Sequence, residues 1–285
     1  MNIFSEDIRK KMIAERFGIC RELLRNLEAT AEDHTVVRFP SSTMYLFSSG
    51  KTFWIVDPAF NYFDCKKEDP ELDEIARLIS EKVSVIAITH LHEDHCQIEL
   101  VKRIKNPAVK WVVSSRFADE FQARYGVAKE QIVILNDGES FEYNGIRFTM
   151  QLGYHQEPGK PEFPACSYNI ELPDGVKLFM PADVRAFQRE IPDMSPVDYI
   201  FGHVFLGRED AQGDEFSKLQ DFCNFMTRRK SREIILAHLY ELGRASRDLW
   251  THRHAEMVRA ELKKIAPEIK VHAPHFGDIL HLTGE

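Results

Sequence analysis

The apolar run VSVIAI at residues 83–88 is followed at once by THLHEDHC. Three imidazoles and two carboxylates therefore fall within six residues, His90 to His95. The run itself reads as a buried strand, so the titratable cluster must leave the core at the strand's C-terminal end. In α/β folds that edge is where ligands bind. Four residues of metal-ligand type, His90, His92, Asp94 and His95, share the spacing H-x-H-x-D-H. Crowding them at a strand end without a cation would cost desolvation and repulsion. Neutral imidazole and carboxylate suit zinc, manganese or iron rather than calcium. The stretch thus predicts an α/β chain with a metal site at one rim of a sheet.

The rest of the chain supports that class. Residues 5–28 read as a helix, with Ser5 as N-cap, Ile8, Met12, Leu23 and Leu27 at helical spacings, and Gly18 as a candidate break. From about residue 35 the texture turns to short strands, TMYLFSS and KTFWIVDPAF joined at SSGK. ELDEIARLISEK is an amphipathic helix before the VSVIAI strand. Helices are expected near 97–105, 116–124, 214–229 and 252–265. They alternate with strands at VKWVVSS, QIVIL, VDYIFGH and EIILAH, with two further strands near 268–272 and 278–283. Asn144-Gly145 suits a type I′ hairpin turn, and Pro173-Asp174-Gly175 marks another turn. Hairpins mixed with strand–helix pairs predict two packed sheets covered by helices. Residues 1–34 read as an N-terminal helical extension and 35–285 as one domain. The extension either covers the core, bridges a homo-oligomer or lids the site, since periodicity shows only that one face wants burial.

Composition narrows the partners. The net charge of −8 disfavours nucleic acid and anionic membrane, so an anionic substrate needs a local basic patch or a metal. No apolar run approaches the ~18 residues of a membrane span, and the charged start MNIFSEDIRKKM lacks a signal-peptide core. A cytoplasmic location is expected. The five cysteines are scattered without CxxC, which suggests neither a disulfide framework nor a thiolate zinc site.

H-x-H-x-D-H after an apolar strand resembles the metal motif of the metallo-β-lactamase-fold superfamily, and the resemblance runs from about residue 35 to the end. It implies a four-layer αββα sandwich and further ligands downstream. IRFTMQLGYH offers His155, GVKLFMPAD offers Asp183 and SREIILAH offers His238, each at a strand end. The family pattern then assigns His90, His92 and His155 to one metal. It assigns Asp94, His95 and His238 to a second, with Asp183 bridging. Two divalent ions are implied, zinc first, with manganese or iron as alternatives. Asp57 is implied as a residue that accepts an N–H from a ligand histidine; the alternative is a turn-initiating Asp before Pro58. His203, at another strand end, is a candidate proton donor or substrate contact. Arg208 and Arg244 either grip an anionic substrate group or pair with Glu209 and Glu241. Phe60, Tyr62 and Phe63 line a pocket or belong to the core. His252 and His254 read as a solvated helix start, and Cys96 as packing.

The resemblance implies a metal-dependent hydrolase in which a hydroxide, activated by two metals and oriented by Asp94, attacks carbon or phosphorus. LNDGESFEYNGIRFTMQLGYH and ELPDGVKLFMPAD resemble the L-ascorbate-6-phosphate lactonase branch, so a small anionic lactone or phosphoester is the expected substrate. ILAHLYELGR is similar to the last-histidine segment of ribonuclease Z, but the acidic charge and the lack of a long Gly/Pro-rich arm argue against a nuclease. An iron-dependent oxidoreductase and a non-catalytic binding protein are the remaining alternatives.

Overall fold

Apolar runs bounded by turn residues build the two sheets of this protein, whose computed structural model describes residues 6–30, 34–60, 70–155, 163–184 and 195–284. The first sheet comprises β1 (Thr35–Arg38), β2 (Tyr45–Ser49), β3 (Thr52–Val56), β4 (Val83–Ala87), β5 (Lys110–Ser114) and β6 (Ile132–Leu135), with β14 (Ile279–Leu282) outside β1. The second runs β7 (Ser140–Tyr143), β8 (Ile146–His155), β9 (Phe163–Glu171), β10 (Lys177–Ala182), β11 (Val197–His203), β12 (Ser231–Ala237) and β13 (Lys270–His272) in spatial sequence. Hairpins make one part of each sheet antiparallel, and crossovers make the other parallel: β3 to β6 in one, β10 to β13 in the other. Only a crossover can return a chain to a parallel neighbour, and helices supply it between β3 and β6 and between β11 and β13.

The sheets pack face to face through aromatic rings. Phe47 and Trp54 stack at 3.8 Å in the first sheet, and Trp54 meets Phe148 of the second edge-on at 5.3 Å. The helices α1 (Glu6–Arg25), α2 (Pro70–Lys82), α3 (Ile98–Val101) and α4 (Ala118–Tyr125) bury residues in the same core as the first sheet. The helices α5 (Leu219–Arg228) and α6 (His252–Ile265) pack on the second through Phe222, Met226, Val258 and Leu262. The result is the four-layer αββα sandwich that the resemblance implied.

Helix α1 is continuous through Gly18. Its face Phe17, Cys20, Leu23 and Leu24 is buried in the core of the first sheet, and its Arg21 and Arg25 pair with Glu71 and Glu74 on α2. Ser5, expected as its N-cap, lies outside the described residues. Asn144 and Gly145 both take positive φ (49° and 79°) and close the β7–β8 hairpin as expected.

Two helices are shorter than their sequence pattern. After Val101 the amides of Arg103 and Ile104 bond three residues back, and the Asn106 side chain takes the Ala108 amide, so α3 ends after one turn. Before α5, Ser217 gives its amide and hydroxyl to Asp210, which holds 213–218 out of the helix. In both places a short polar side chain outbids the helical backbone bond.

Candidate metal centre

Strands β3, β4, β8, β10, β11 and β12 carry the candidate residues at or just beyond their C-terminal ends, on one rim. Three of these ends use a non-glycine residue in the left-handed region: Asp57 after β3 (φ 55°), Ala182 closing β10 (52°) and His238 after β12 (64°). Left-handed backbone costs roughly 1–2 kcal/mol at a residue with a Cβ. It breaks the strand at once, so that the chain leaves the sheet at the rim where Asp57, Asp183 and His238 sit.

The loop after β4 holds the densest part. Arg124 grips it from outside, donating to the Leu91 carbonyl (3.2 Å) and to Glu93 (2.7 Å), while Glu93 accepts the first amide of α3. Thr43 donates its hydroxyl to the Asp94 carbonyl. Glu93 therefore faces away from the cluster as scaffold. His90, Asp94 and His95 are buried and His92 is half-buried. Cys96 is fully buried packing, as expected.

Two groups of donors result. His90, His92 and His155 bring ring nitrogens within 4.8 Å of one another, with ring centroids about 5 Å apart. His95, Asp183, His203 and His238 form the second group, and Asp94 joins it 3.7 Å from His238 Nε2. Asp183 lies between them. Its Oδ1 is 3.6 Å from His95 Nε2 and 3.9 Å from His238 Nε2, and its Oδ2 is 3.6 Å from His155 Nε2. All seven residues of the expected ligand set thus meet in one place.

Hydrogen bonds from neighbouring residues hold these side chains in place. Asp57, wholly buried, accepts from the Thr89 amide (2.8 Å), the Thr89 hydroxyl (2.6 Å) and His95 Nδ1 (2.7 Å). Asp57 is thus both the strand-ending turn residue and the partner of His95, and the two alternatives coincide. His203 is engaged at both nitrogens, with Asp183 Oδ1 at 3.0 Å from Nδ1 and the Tyr45 hydroxyl at 2.7 Å from Nε2. Arg244 donates from Nε to Glu241 (2.7 Å), the expected pairing, and also from Nη2 to Asp94 Oδ2 (2.7 Å). Arg208 lines a narrow cleft with Arg244, His238, Phe205 and Trp250, and Glu209 pairs with Arg247. Phe60 is core; Tyr62 and Phe63 lie outside the described residues. A cavity of about 220 Å³ lies on another side of His238, lined by Met12 of α1, Ser42, Tyr240, His252 and His275.

Burial and charge pull these groups apart. Burial opposes a charged His95, but the carboxylates of Asp183 and Asp57 outweigh it and raise the imidazole to about 9. Burial alone would raise Asp94; His238, His95 and Arg244 instead hold it well below the usual carboxylate range. Burial keeps His203 at about 4 despite Asp183, so it is neutral at pH 7. Burial and the neighbouring imidazoles push His90 down as well. Burial and the charge of Asp94 push Glu241 up to about 8, against the pull of Arg244.

The donor set fits a divalent cation. His90 Nε2, His95 Nε2 and His238 Nε2 are buried with no hydrogen-bond partner among the described residues. Each such atom costs about 1–3 kcal/mol if left unpaired. Three orphaned imidazole nitrogens beside two carboxylates are what a cation with nitrogen and oxygen ligands requires.

Sequence reasoning missed Tyr45, which it read only as part of a strand, and Thr89. It also took His252 and His254 as solvated. His254 is buried, and its Nδ1 accepts the Thr251 amide at 3.0 Å to close the N-terminus of α6.

Comparison with known proteins agrees with the fold. The family model described as the β-lactamase superfamily domain matches residues 54–239. Nothing matches among curated protein sequences. The metallo-β-lactamase fold protein YhfI from Bacillus subtilis is 16% identical over 88% of this chain and 100% of its own, with a TM-score of 0.58. A possible metal-dependent hydrolase from Veillonella parvula is 18% identical over 87% of this chain and 98% of its own, at 0.55. CmlA, a diiron β-hydroxylase from Streptomyces venezuelae, is 13% identical at a TM-score of 0.62; the match covers 88% of this chain but 55% of CmlA. With the family model spanning both the H-x-H-x-D-H loop and His238, the chain belongs to the β-lactamase superfamily and carries the metal-dependent hydrolase fold of its metallo-β-lactamase members.

Proposed function

We propose that this chain is a hydrolase that holds two divalent cations and cleaves a small anionic metabolite, a lactone or phosphoester. The position of Asp183 between two groups of imidazoles carries this reading. His90, His92 and His155 would hold one cation, Asp94, His95 and His238 the other, and Asp183 both. Bound there, divalent cations supply Lewis acidity and lower the pKa of water toward neutrality.

The chain's own residues prepare that chemistry. With a cation bound, Asp57 would hold the remaining His95 proton on Nδ1, which would leave Nε2 to face the cation. His238, His95 and Arg244 together keep Asp94 ionised, and Arg244 fixes its Oδ2, so the carboxylate is able to orient an attacking water. In neutral His203, Nδ1–H donates to Asp183 and Nε2 accepts from the Tyr45 hydroxyl. With both nitrogens engaged, His203 positions Asp183 rather than protonating a leaving group.

Arg208 supplies the charge for an anionic substrate, which a chain of net charge −8 must provide locally. Arg208→Ala is expected to raise KM about tenfold, the worth of one charged hydrogen bond, with kcat within twofold. An unchanged KM removes Arg208 from the site. The four described cysteines, all buried and free, support a reducing, cytoplasmic setting.

The metals themselves are the test. Elemental mass spectrometry on protein purified without a histidine tag is expected to give about two zinc or manganese ions per chain. Iron would favour oxygen chemistry instead, the reading suggested by the likeness to diiron CmlA. No bound metal after reconstitution would end the hydrolase reading.

A further inference from the structure

We propose that Glu241 is an additional ligand of the second cation, so that the two halves of the centre differ in kind. One half is built from the imidazoles of His90, His92 and His155. The other gathers the carboxylates of Asp94, Asp183 and Glu241 around His95 and His238. The inference rests on the dinuclear reading above.

The segment His238-Leu239-Tyr240-Glu241 bends twice. His238 (φ 64°) and Tyr240 (φ 54°) both sit in the left-handed region. Strain of this kind persists only where the surroundings enforce it, and it gathers at functional sites. Its effect is to bring residues 238 and 241 back to one point. Glu241 Oε2 lies 3.6 Å from His238 Nε2, which is itself 3.7 Å from Asp94 Oδ2. Donors bound at ~2.1 Å to a shared cation lie about 3–3.6 Å from one another. Two of the three separations are therefore close to those of ligands, and the three residues offer atoms within 4.8 Å of one another.

The state of the carboxylate adds a second observation. Glu241 is 3% exposed, and its Oε1 has no hydrogen-bond partner among the described residues. The facing nitrogen, His238 Nε2, is equally buried and unpartnered. A buried carboxyl oxygen without a partner, beside a buried imidazole nitrogen without one, suits a cation rather than a further anion.

Arg244 explains how three carboxylates are tolerated together. Its Nε and Nη2 bind Glu241 Oε2 and Asp94 Oδ2, both at 2.7 Å. One guanidinium thus offsets part of the repulsion and aligns the two groups. Each carboxylate oxygen retains another lone pair for a metal. The simpler role for Glu241 is only to clamp Arg244, and the experiment separates the two. A carboxylate-rich site also favours a harder ion than an imidazole-rich one. Zinc is expected to fill the first half and manganese the second.

The test is calorimetric titration of the metal-stripped full chain with Mn²⁺, alone and after one equivalent of Zn²⁺. Glu241→Gln keeps an oxygen for Arg244 but loses the charge. It is expected to bind the first ion as the parent does and the second at least about tenfold more weakly. Glu241→Asp, which withdraws the charge by one methylene, is expected to fall between them, and it serves if the glutamine variant does not fold. Parent-like affinity for both ions in either variant overturns the proposal and leaves the two-metal reading standing. A parent chain that binds no metal overturns both.

Discussion

Replacing Asp183 with alanine is expected to abolish hydrolysis and to leave the chain with fewer than two metal ions. Its Oδ1 faces His95, His203 and His238, and its Oδ2 faces His155. Asp94 also comes within 4.8 Å of ring nitrogens of His90 and His95, but Asp183 turns a separate oxygen to each group. Losing a single oxyanion donor costs an enzyme roughly 10²–10³ in rate. If Asp183 ties two cations together as proposed, its loss should cost more than about 10³ in rate. Turnover measured beside metal content checks this, since a rate loss at full occupancy would show a purely chemical role. A variant that keeps two ions and a tenth of the parent rate would remove Asp183 from the bridge.

The second large effect concerns a residue expected to touch no substrate. Asp57→Ala removes the acceptor for the Thr89 amide, the Thr89 hydroxyl and His95 Nδ1. All of this is buried, so water cannot replace the carboxylate, and the imidazole beside it loses one of the charges that favour its protonation. Breaking a buried pair by deleting one partner costs about 3–5 kcal/mol, which for a chain of this size is roughly a 10 °C fall in melting temperature. Metal affinity should fall about 10–100-fold in the same variant, because the orientation of His95 is lost. A thermal unfolding curve within 2 °C of the parent would show that Asp57 is merely a turn residue.

The sequence announces the strand-end ligands because they are local. H-x-H-x-D-H follows an apolar run, and His155, Asp183 and His238 each end a readable strand. The hairpin at Asn144-Gly145 is legible for the same reason. What the sequence hides is pairing between distant segments. Tyr45 and His203 meet across 158 positions, and no pattern near either residue signals the other. Glu241 is visible only as a partner of Arg244; that Arg244 also binds Asp94, 150 positions earlier, follows from the double bend after β12. The early end of α3 and the late start of α5 were missed because Asn106 and Asp210 compete for backbone and side-chain donors that a periodicity argument does not count.

The outermost strand of the first sheet sets the order in which the molecule can be finished. Thr35 stands opposite Leu282, so β1 waits for nearly the whole chain before β14 covers its outer edge. During synthesis that edge, with its buried Val36 and Val37, is an open template for another chain. A ribosome-bound intermediate can have its metal-binding loop in place and still be the species most prone to aggregate. Slow closure of so distant a pairing would make yield depend on chaperone supply and growth temperature more than on the stability of the finished protein.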